Sequence, residues 1–280
     1  MNISTFIAEF KSSLANHYSE GELDQLSIHI FEDVMGYRRI DLALKKDEEL
    51  PEVILEKLKA ITSELKSNKP IQYILGYAWF AGIKFKVNPA VLIPRQETEE
   101  LVEWIVKENS IGSPTVVDIC SGSGCIGIAI KKMIPLSNVK GIDISTSAIE
   151  LSRDNSDTLD IKVDFLEADI LKLEIPYREV DIIVSNPPYV RSSEAALMKA
   201  NVLEHEPHLA LFVTDQDPLL FYKRLAKIGK ESLKPGGKMY LEINENLGKE
   251  TAEILELIGF HDISIRKDLN DKFRMIRAVK

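Results

Sequence analysis

Cysteine is scarce in this 280-residue chain: Cys120 and Cys125 are the only two, and both fall in one short stretch. No disulfide framework and no paired CxxC metal site can be built from them. The five histidines are scattered and none forms an HExxH or similar pair, so a metal enzyme is not expected. No apolar run approaches the roughly 20 residues of a membrane helix. The opening stretch, MNISTFIAEFKSSL, mixes acid with base and lacks the basic, apolar, small-residue order of a secretory leader, which makes the cytoplasm the expected location. Positive charge is also in deficit, with 35 Lys and Arg against 44 Asp and Glu and a net charge of -9. That disfavours a protein held on nucleic acid by a broad basic surface, because phosphate neutralisation dominates such binding.

What is present is the composition of a globular protein, 45% hydrophobic and 28% charged, long enough for one large domain or two ordinary ones. The first seventy or so residues read as helices. Leu23, Leu26, Ile30 and Val34 recur near helical spacing, and a second helix opens at Pro51 with Ile54, Leu55, Leu58 and Ile61. From residue 70 the pattern turns aromatic and β-branched, and Ile83, Phe85 and Val87 alternate with Lys84 and Lys86 as in a half-exposed hairpin strand. After a helix expected to be capped near Thr98, strands and helices alternate to the C-terminus, which closes in a strand pair, DISIRKDL and FRMIRAVK. Such alternation implies a mostly parallel α/β sheet covered on both faces, with ligands beyond the carboxyl ends of its strands.

Chemistry is therefore sought in the loops after the strands. The first, VVDICSGSGCIG, holds Gly122, Gly124 and Gly127, which permit a tight turn, close ligand approach and close helix packing. Alone, this is compatible with NAD, FAD or a plain strand-to-helix turn. Asp118 narrows the choice, since a carboxylate inside the strand is costly without a partner. Asp143 ends the next strand, where a carboxylate can accept both hydroxyls of a ribose. Asp169 ends the strand after that, where an adenine edge would lie, with Ile170 beside it to cover the adenine face. S-adenosylmethionine has the matching ribose, adenine and cationic end. NAD is the competitor, although its pyrophosphate favours a fuller GxGxxG arrangement.

The fourth loop follows the apolar run VDIIVS and reads Asn186, Pro187, Pro188, Tyr189. The prolines lack an N–H and have fixed φ, so their carbonyls sit in a stiff segment outside the sheet ladder. Asn186 adds a side-chain carbonyl, and two acceptors held close together match the two hydrogens of a planar NH₂ group. Tyr189 supplies a flat face for a planar substrate. The target expected from these four residues is a carboxamide or the exocyclic amine of a base.

The segment from Asp118 to Gly124, with Asp143 and the Asn186–Tyr189 loop, resembles the signature loops of class I S-adenosylmethionine-dependent N-methyltransferases. PIQYILGYAWFAGIKFKVNPAVLIPRQETEELV and EHEPHLALF are similar to the HemK/PrmC-type release-factor glutamine methyltransferases, which methylate the glutamine amide of the GGQ motif in peptide chain release factors. The similarity runs over nearly the whole chain, including LKPGGKMYLEIN and KDLNDKFR. It implies a small helical, partner-binding domain over 1–70, a β-hairpin linker over 71–95, and a Rossmann-like seven-stranded class I methyltransferase domain over 96–280. It implies S-adenosylmethionine as cofactor, with S-adenosylhomocysteine as product, held by Asp118, Cys120, Ser121, Gly122, Ser123 and Gly124 of the first loop. Asp143, Asp169, Ile170, Asn186, Arg95 and Thr98 complete that set. The catalytic and substrate-holding group is then Asn186, Pro187, Pro188 and Tyr189, with Glu97 beside the substrate. The implied partners are release factors, with no membrane, no metal and no direct nucleic acid.

Two positions depart from the family pattern. Cys120 stands at the first glycine of D-x-G-x-G-x-G, where a small side chain is expected to fit at negative φ. Gln96 replaces the proline of IPRPETE while Arg95, Glu97 and Thr98 stay in place. Glu206 and Pro207 match the family's Glu-Pro segment, either as a brace for the active-site loop or as plain structure. An adenine-N6 DNA methyltransferase uses the same four-residue loop, but it needs a flipped base and phosphate contacts that an acidic chain does not advertise. Methylation of a glutamine in another protein, and a cofactor-binding scaffold without catalysis, are the remaining alternatives.

Overall fold

The computed structural model describes residues 1–172, 174 and 176–280. They form two compact units: Met1–Gly76 with Lys199–His205, and Tyr77–Met198 with Glu206–Lys280.

The first unit contains α1 (Ile3–Leu14), α2 (Glu20–Met35), α3 (Arg39–Leu44), α4 (Glu52–Lys66) and α5 (Ile71–Leu75). Reciprocal bonds between Ser19 and Glu22 start α2, and Gly36 ends it at φ 69°. Of the residues read as its apolar face, Leu23, Leu26 and Ile30 are buried and Val34 is half-buried. Pro51 precedes α4, where Leu58 is fully buried while Ile54, Leu55 and Ile61 pack at the margin of the same core. The segment Lys199–His205 belongs here too, with Lys199 paired to Glu22 at 3.1 Å and His205 bonded to the Ser67 carbonyl at 2.8 Å.

The second unit opens with a hairpin, β1 (Tyr77–Phe80) and β2 (Ile83–Lys86). One face of it, with Phe80, Ile83 and Phe85, enters the core of this unit. The stretch expected as a linker is thus divided: α5 counts with the first unit and the hairpin with the second. The chain continues through α6 (Gln96–Asn109), β3 (Thr115–Ile119), α7 (Cys125–Met133), β4 (Asn138–Asp143), α8 (Thr146–Thr158), β5 (Asp164–Glu167) and β6 (Val180–Ser185). Two short strands, β7 (Val190–Arg191) and β8 (Phe212–Val213), flank the short helices α9 (Ala200–Leu203) and α10 (His208–Leu211). Then come α11 (Leu220–Ser232), β9 (Leu233–Glu242), α12 (Gly248–Ile258), β10 (His261–Lys267) and β11 (Phe273–Val279). The helix expected to be capped at Thr98 starts three residues earlier. Arg95 is its N-cap residue and Thr98 lies in its first turn, so the Thr98 hydroxyl is released for another partner.

Seven strands form one sheet in the order β10-β11-β9-β6-β3-β4-β5, with β11 antiparallel to both neighbours and the pairs from β9 to β5 parallel. Period-two alternation sorts the strand residues between two cores. Val116, Ile182, Val184 and Tyr240 face α6 and α7, whereas Val117, Ile183, Met239 and Leu241 face α11 and α12. From β3 the chain steps outward to β4 and β5 on one side and returns to β6 on the other. That reversal opens a crevice at the carboxyl ends of β3 and β6. Ser145 caps α8, accepting from Ala148 N at 3.2 Å.

Phe165 of β5 sits so close to β4 that a Cβ on Gly141 would lie 2.4 Å from its ring. Gly141→Ala is expected to lower stability by about 1–3 kcal/mol, measured by denaturant unfolding, and Phe165→Leu in the same chain should recover part of the loss. An unchanged midpoint in Gly141→Ala would show that this contact is not tight.

Candidate active site

A cavity of about 370 Å³ opens at that crevice, walled by the segments that follow β3, β4, β5 and β6 and by residues drawn from between 90 and 98 and between 207 and 210. Arg95, Thr98, Cys120, Ser121, Gly122 and Ser123 all reach it, and so do Asp143, Asp169, Ile170, Asn186 and Pro188. The topology therefore brings together most of the residues singled out in the sequence. Asp118, Gly124, Pro187, Tyr189 and Glu97 are not in its wall.

The loop after β3 is shaped by an acid from the neighbouring strand. Asp143 Oδ2 accepts from Gly122 N at 2.8 Å, and its Oδ1 accepts from Ser145 N at 3.0 Å. Burial raises the Asp143 pKa, and these backbone donors pull it back. A carboxylate has about four lone-pair sites, so capacity remains for a ligand's hydroxyls. Gly122 adopts φ 52°, and a Cβ there would meet nothing within 4 Å, which leaves its backbone open to close approach. Ser121 and Ser123 carry buried hydroxyls without a partner among the described residues. Unspent hydroxyls, an acid at a strand end and a bare glycine fit a ligand rich in hydroxyl and amino groups.

Cys120 corrects an expectation. Its φ is 63°, not negative, so it occupies the left-handed region that the family's glycine would occupy without strain. For an L-residue this conformation costs about 1–2 kcal/mol. The side chain packs against the α11 side of the sheet, and burial pushes its thiol pKa far up. Burial likewise raises the Cys125 thiol to about 12, so neither cysteine is an activated nucleophile.

Asp118 also differs from its expected role. It is fully buried under the loop, and Oδ2 accepts from Gly127 N at 3.0 Å. The helix comes close there: a Cβ on Gly127 would lie 3.3 Å from the same oxygen. Asp118 therefore anchors the start of α7 to β3 and does not face the cavity. Its Oδ1 has no partner among the described residues, and burial pushes its pKa up to about 8. Asp169 does line the cavity, bonded to Leu171 N at 3.0 Å and paired with Lys172 at 2.9 Å; that pairing is the main cause of its lowered pKa.

The Asn186–Tyr189 loop leaves β6 at the mouth of the crevice. Asn186 is half-buried and its Nδ2 donates to Thr98 Oγ1 at 3.2 Å, which turns Oδ1 the other way. Pro187 and Pro188 are buried, and no hydrogen bond among the described residues reaches the Pro187 carbonyl. Tyr189 does not offer its hydroxyl to the cavity. It donates to Glu242 Oε1 at 2.9 Å, and Glu242 Oε2 accepts from Thr98 Oγ1 at 2.6 Å. Glu242 was missed by sequence reasoning. The signal was an acid ending an apolar strand, MYLE, the same oddity that drew attention to Asp118. Across the cavity Glu206, buried, accepts from Ile93 N at 3.1 Å and from Arg95 Nη2 at 2.5 Å, which ties the Glu-Pro segment to the entry of α6.

A strand order in which β11 alone runs backwards, a nucleoside-sized crevice at its switch point, and an amide-acceptor loop after β6 define a class I methyltransferase. A family model described as the Methyltransferase small domain matches residues 96–211, and one described as the PrmC N-terminal domain matches residues 6–76. A solved methyltransferase of Pyrococcus furiosus shares the fold at TM-score 0.55 and 16% identity, covering 79% of this chain and 98% of that one. A Thermus thermophilus 16S rRNA methyltransferase in complex with AdoMet and guanosine superposes at TM-score 0.53 and 18% identity, over 73% of this chain and 49% of that one. Two full-length relatives, from Flavobacterium psychrophilum (43% identical; 99% of each chain) and Bacteroides thetaiotaomicron (44% identical; 97% of this chain, 98% of the relative), are each named release factor glutamine methyltransferase. The chain belongs to the release factor glutamine methyltransferase family.

Two outcomes follow from the loop geometry. Cys120→Gly should bind S-adenosylhomocysteine as well as the parent, whereas Cys120→Val, β-branched in a left-handed position, should lose about 2 kcal/mol or more of stability; calorimetry and thermal melting read both. Asp118 holds its proton up to about pH 8 in the folded state and releases it near 3.8 when unfolded. The folded state therefore binds the extra proton between those values, and its contribution to stability falls as pH rises through that window. Asp118→Asn should flatten the decline between pH 5 and pH 8, and an unchanged slope would refute the assignment.

Proposed function

We propose that this protein transfers the methyl group of S-adenosylmethionine to the side-chain amide nitrogen of the glutamine in the GGQ motif of peptide chain release factors, in the cytoplasm. The observation that carries the reading is the pair of acceptors after β6: Asn186 Oδ1, turned away from Thr98, and the unspent Pro187 carbonyl next to it. Family membership supplies the rest of the support.

When bound, S-adenosylmethionine supplies a methyl group carried on a positively charged sulfur. Asp143, with spare lone pairs, would take the ribose hydroxyls. Asp169 and Ile170, in the same cavity wall, would meet the adenine, and Ser121 to Ser123 and Arg95 would hold the rest of the cofactor. The chain's own task is to make a poor nucleophile presentable. An amide nitrogen delocalises its lone pair into its carbonyl. Two acceptors that hold both hydrogens fix the plane of the group and favour pyramidal nitrogen. The same carbonyl dipoles then stabilise positive charge developing on that nitrogen. No base has to be charged in advance, because the nitrogen becomes acidic only as it gains its fourth bond. Held geometry of this kind can supply about 7–11 kcal/mol in favourable cases. Pro188 forms part of the cavity wall, and Glu206 holds Arg95 there.

The test incubates the protein with methyl-labelled S-adenosylmethionine and either a GGQ-containing release factor or duplex DNA. Label is expected on the GGQ glutamine; label on DNA adenine alone would overturn the reading. Asn186→Ala should lower turnover roughly 10²–10³-fold while calorimetry finds S-adenosylhomocysteine binding retained.

A further inference from the structure

Glu242 ends β9 fully buried and outside the cavity wall, yet two hydrogen bonds in series, through Thr98, connect it to the residue that meets the substrate. A carboxylate in that place is costly unless donors surround it. It has two, the hydroxyls of Thr98 at 2.6 Å and Tyr189 at 2.9 Å, one on each oxygen. A hydroxyl has a single proton, so both groups are left with lone pairs only on their free side. Thr98 Oγ1 then accepts Asn186 Nδ2 at 3.2 Å, and the Tyr189 oxygen faces Arg274 Nη1 at 3.5 Å. Asp268 balances Arg274 from behind, its Oδ2 3.2 Å from Nε.

The direction of these bonds is the point. An asparagine amide has almost the same shape in its two flipped orientations, so packing alone does not choose between them. Thr98 chooses, because with its proton committed to Glu242 it can only receive. Asn186 must give it the NH₂ end, and the carbonyl end is left for the cavity. In the opposite flip an NH₂ would face the substrate's NH₂, two donors with nothing between them. A neutral residue at 242 would not enforce this: glutamine has one acceptor for two hydroxyl donors, and its own NH₂ can reverse the Thr98 hydroxyl.

We infer that Glu242 is a positioning residue for methyl transfer, setting through Thr98 which end of the Asn186 amide meets the substrate and anchoring through Tyr189 the far end of the same loop. This rests on the proposed role of Asn186 as acceptor of the substrate amide and extends it one layer into the protein. Asn186 touches the substrate; Glu242 and the Thr98 hydroxyl act through it.

The test is a double-mutant cycle on the full chain with a GGQ-containing release factor under single-turnover conditions. Glu242→Gln and Thr98→Val are each expected to slow methyl transfer about 10- to 100-fold, with S-adenosylhomocysteine affinity held near that of the parent in Glu242→Gln. Thr98→Ser, which keeps the hydroxyl, should restore most of the rate. In an Asn186→Ala background the cost of Thr98→Val should vanish, because no amide remains to be oriented, and that of Glu242→Gln should shrink to the share carried through Tyr189. Packing damage alone would persist there undiminished, and that result would sink the relay while leaving the role of Asn186 intact. A parent-like rate in Asn186→Ala would remove both. If Glu242→Gln melts below the assay temperature, Thr98→Val in the same cycle decides the matter alone, with the same two outcomes.

Discussion

A carboxylate buried at the end of a parallel strand must be given hydrogen-bond donors by whatever chain surrounds it. Several features of this site's geometry trace to that requirement. Asp143 recruits the backbone of Gly122 and Ser145, which fixes the first loop and the start of α8. Asp118 recruits Gly127 and pins α7 against β3. Glu242 recruits two hydroxyls, and Glu206 recruits the backbone and guanidinium of the segment entering α6. Three buried acids and one half-buried one thus shape the loops that wall one crevice, and only the half-buried Asp143 lines it. Their energetic role is asymmetric: satisfying a buried polar group gains little net stability, but leaving it without its partner costs about 1–3 kcal/mol. Loops held this way are specified by what their loss would cost.

The same asymmetry accounts for what could be read in the sequence. Alternating strands and helices, the terminal strand pair and the cavity loops were legible because periodicity, glycine spacing and proline chemistry are local properties. The partners of the acids were not, because a donor such as Gly127 N or Thr98 Oγ1 is found only in three dimensions. Asp118 was read as a ligand for a cationic group because a strand-interior acid demands a partner; that partner proved to be a backbone N–H nine positions along. Thr98 was read as a helix cap from its hydroxyl, and the hydroxyl is committed instead to Glu242, 144 positions away. Cys120 was expected at negative φ because non-glycine residues avoid the left-handed region, and the turn imposes φ 63° regardless. In each case the residue type was a sound signal and the long-range contact was absent from it.

Sheet and loops also carry different kinds of information. The Pyrococcus furiosus methyltransferase keeps this fold at 16% identity, so the strand order survives wholesale replacement of side chains and cannot encode a substrate. The substrate must be encoded where the chain leaves the sheet. After β6 it leaves through two prolines, which deny the ladder its next donors and keep a carbonyl unspent. A glycine-rich exit would have reached the same place with many conformations, each presenting its acceptors differently. In the proposed reading, rigidity is what turns two ordinary carbonyls into a clamp for one planar NH₂ group.

A clamp of two acceptors does not by itself tell a glutamine from an adenine, since both present a planar NH₂. The difference has to come from what accompanies that group into the cavity. An extruded base brings a phosphate backbone, and its approach is favoured by closely spaced cations. Here several cations near the crevice already have acidic partners among the described residues: Arg95 has Glu206, Lys172 has Asp169, and Arg274 has Asp268. With a net charge of -9 over the whole chain, a polyanion would find its charges unanswered. A peptide loop carries no such demand and needs only its amide to be met. The charge arrangement around the clamp therefore favours the protein substrate over the nucleic acid one, on grounds independent of the chain's relatives.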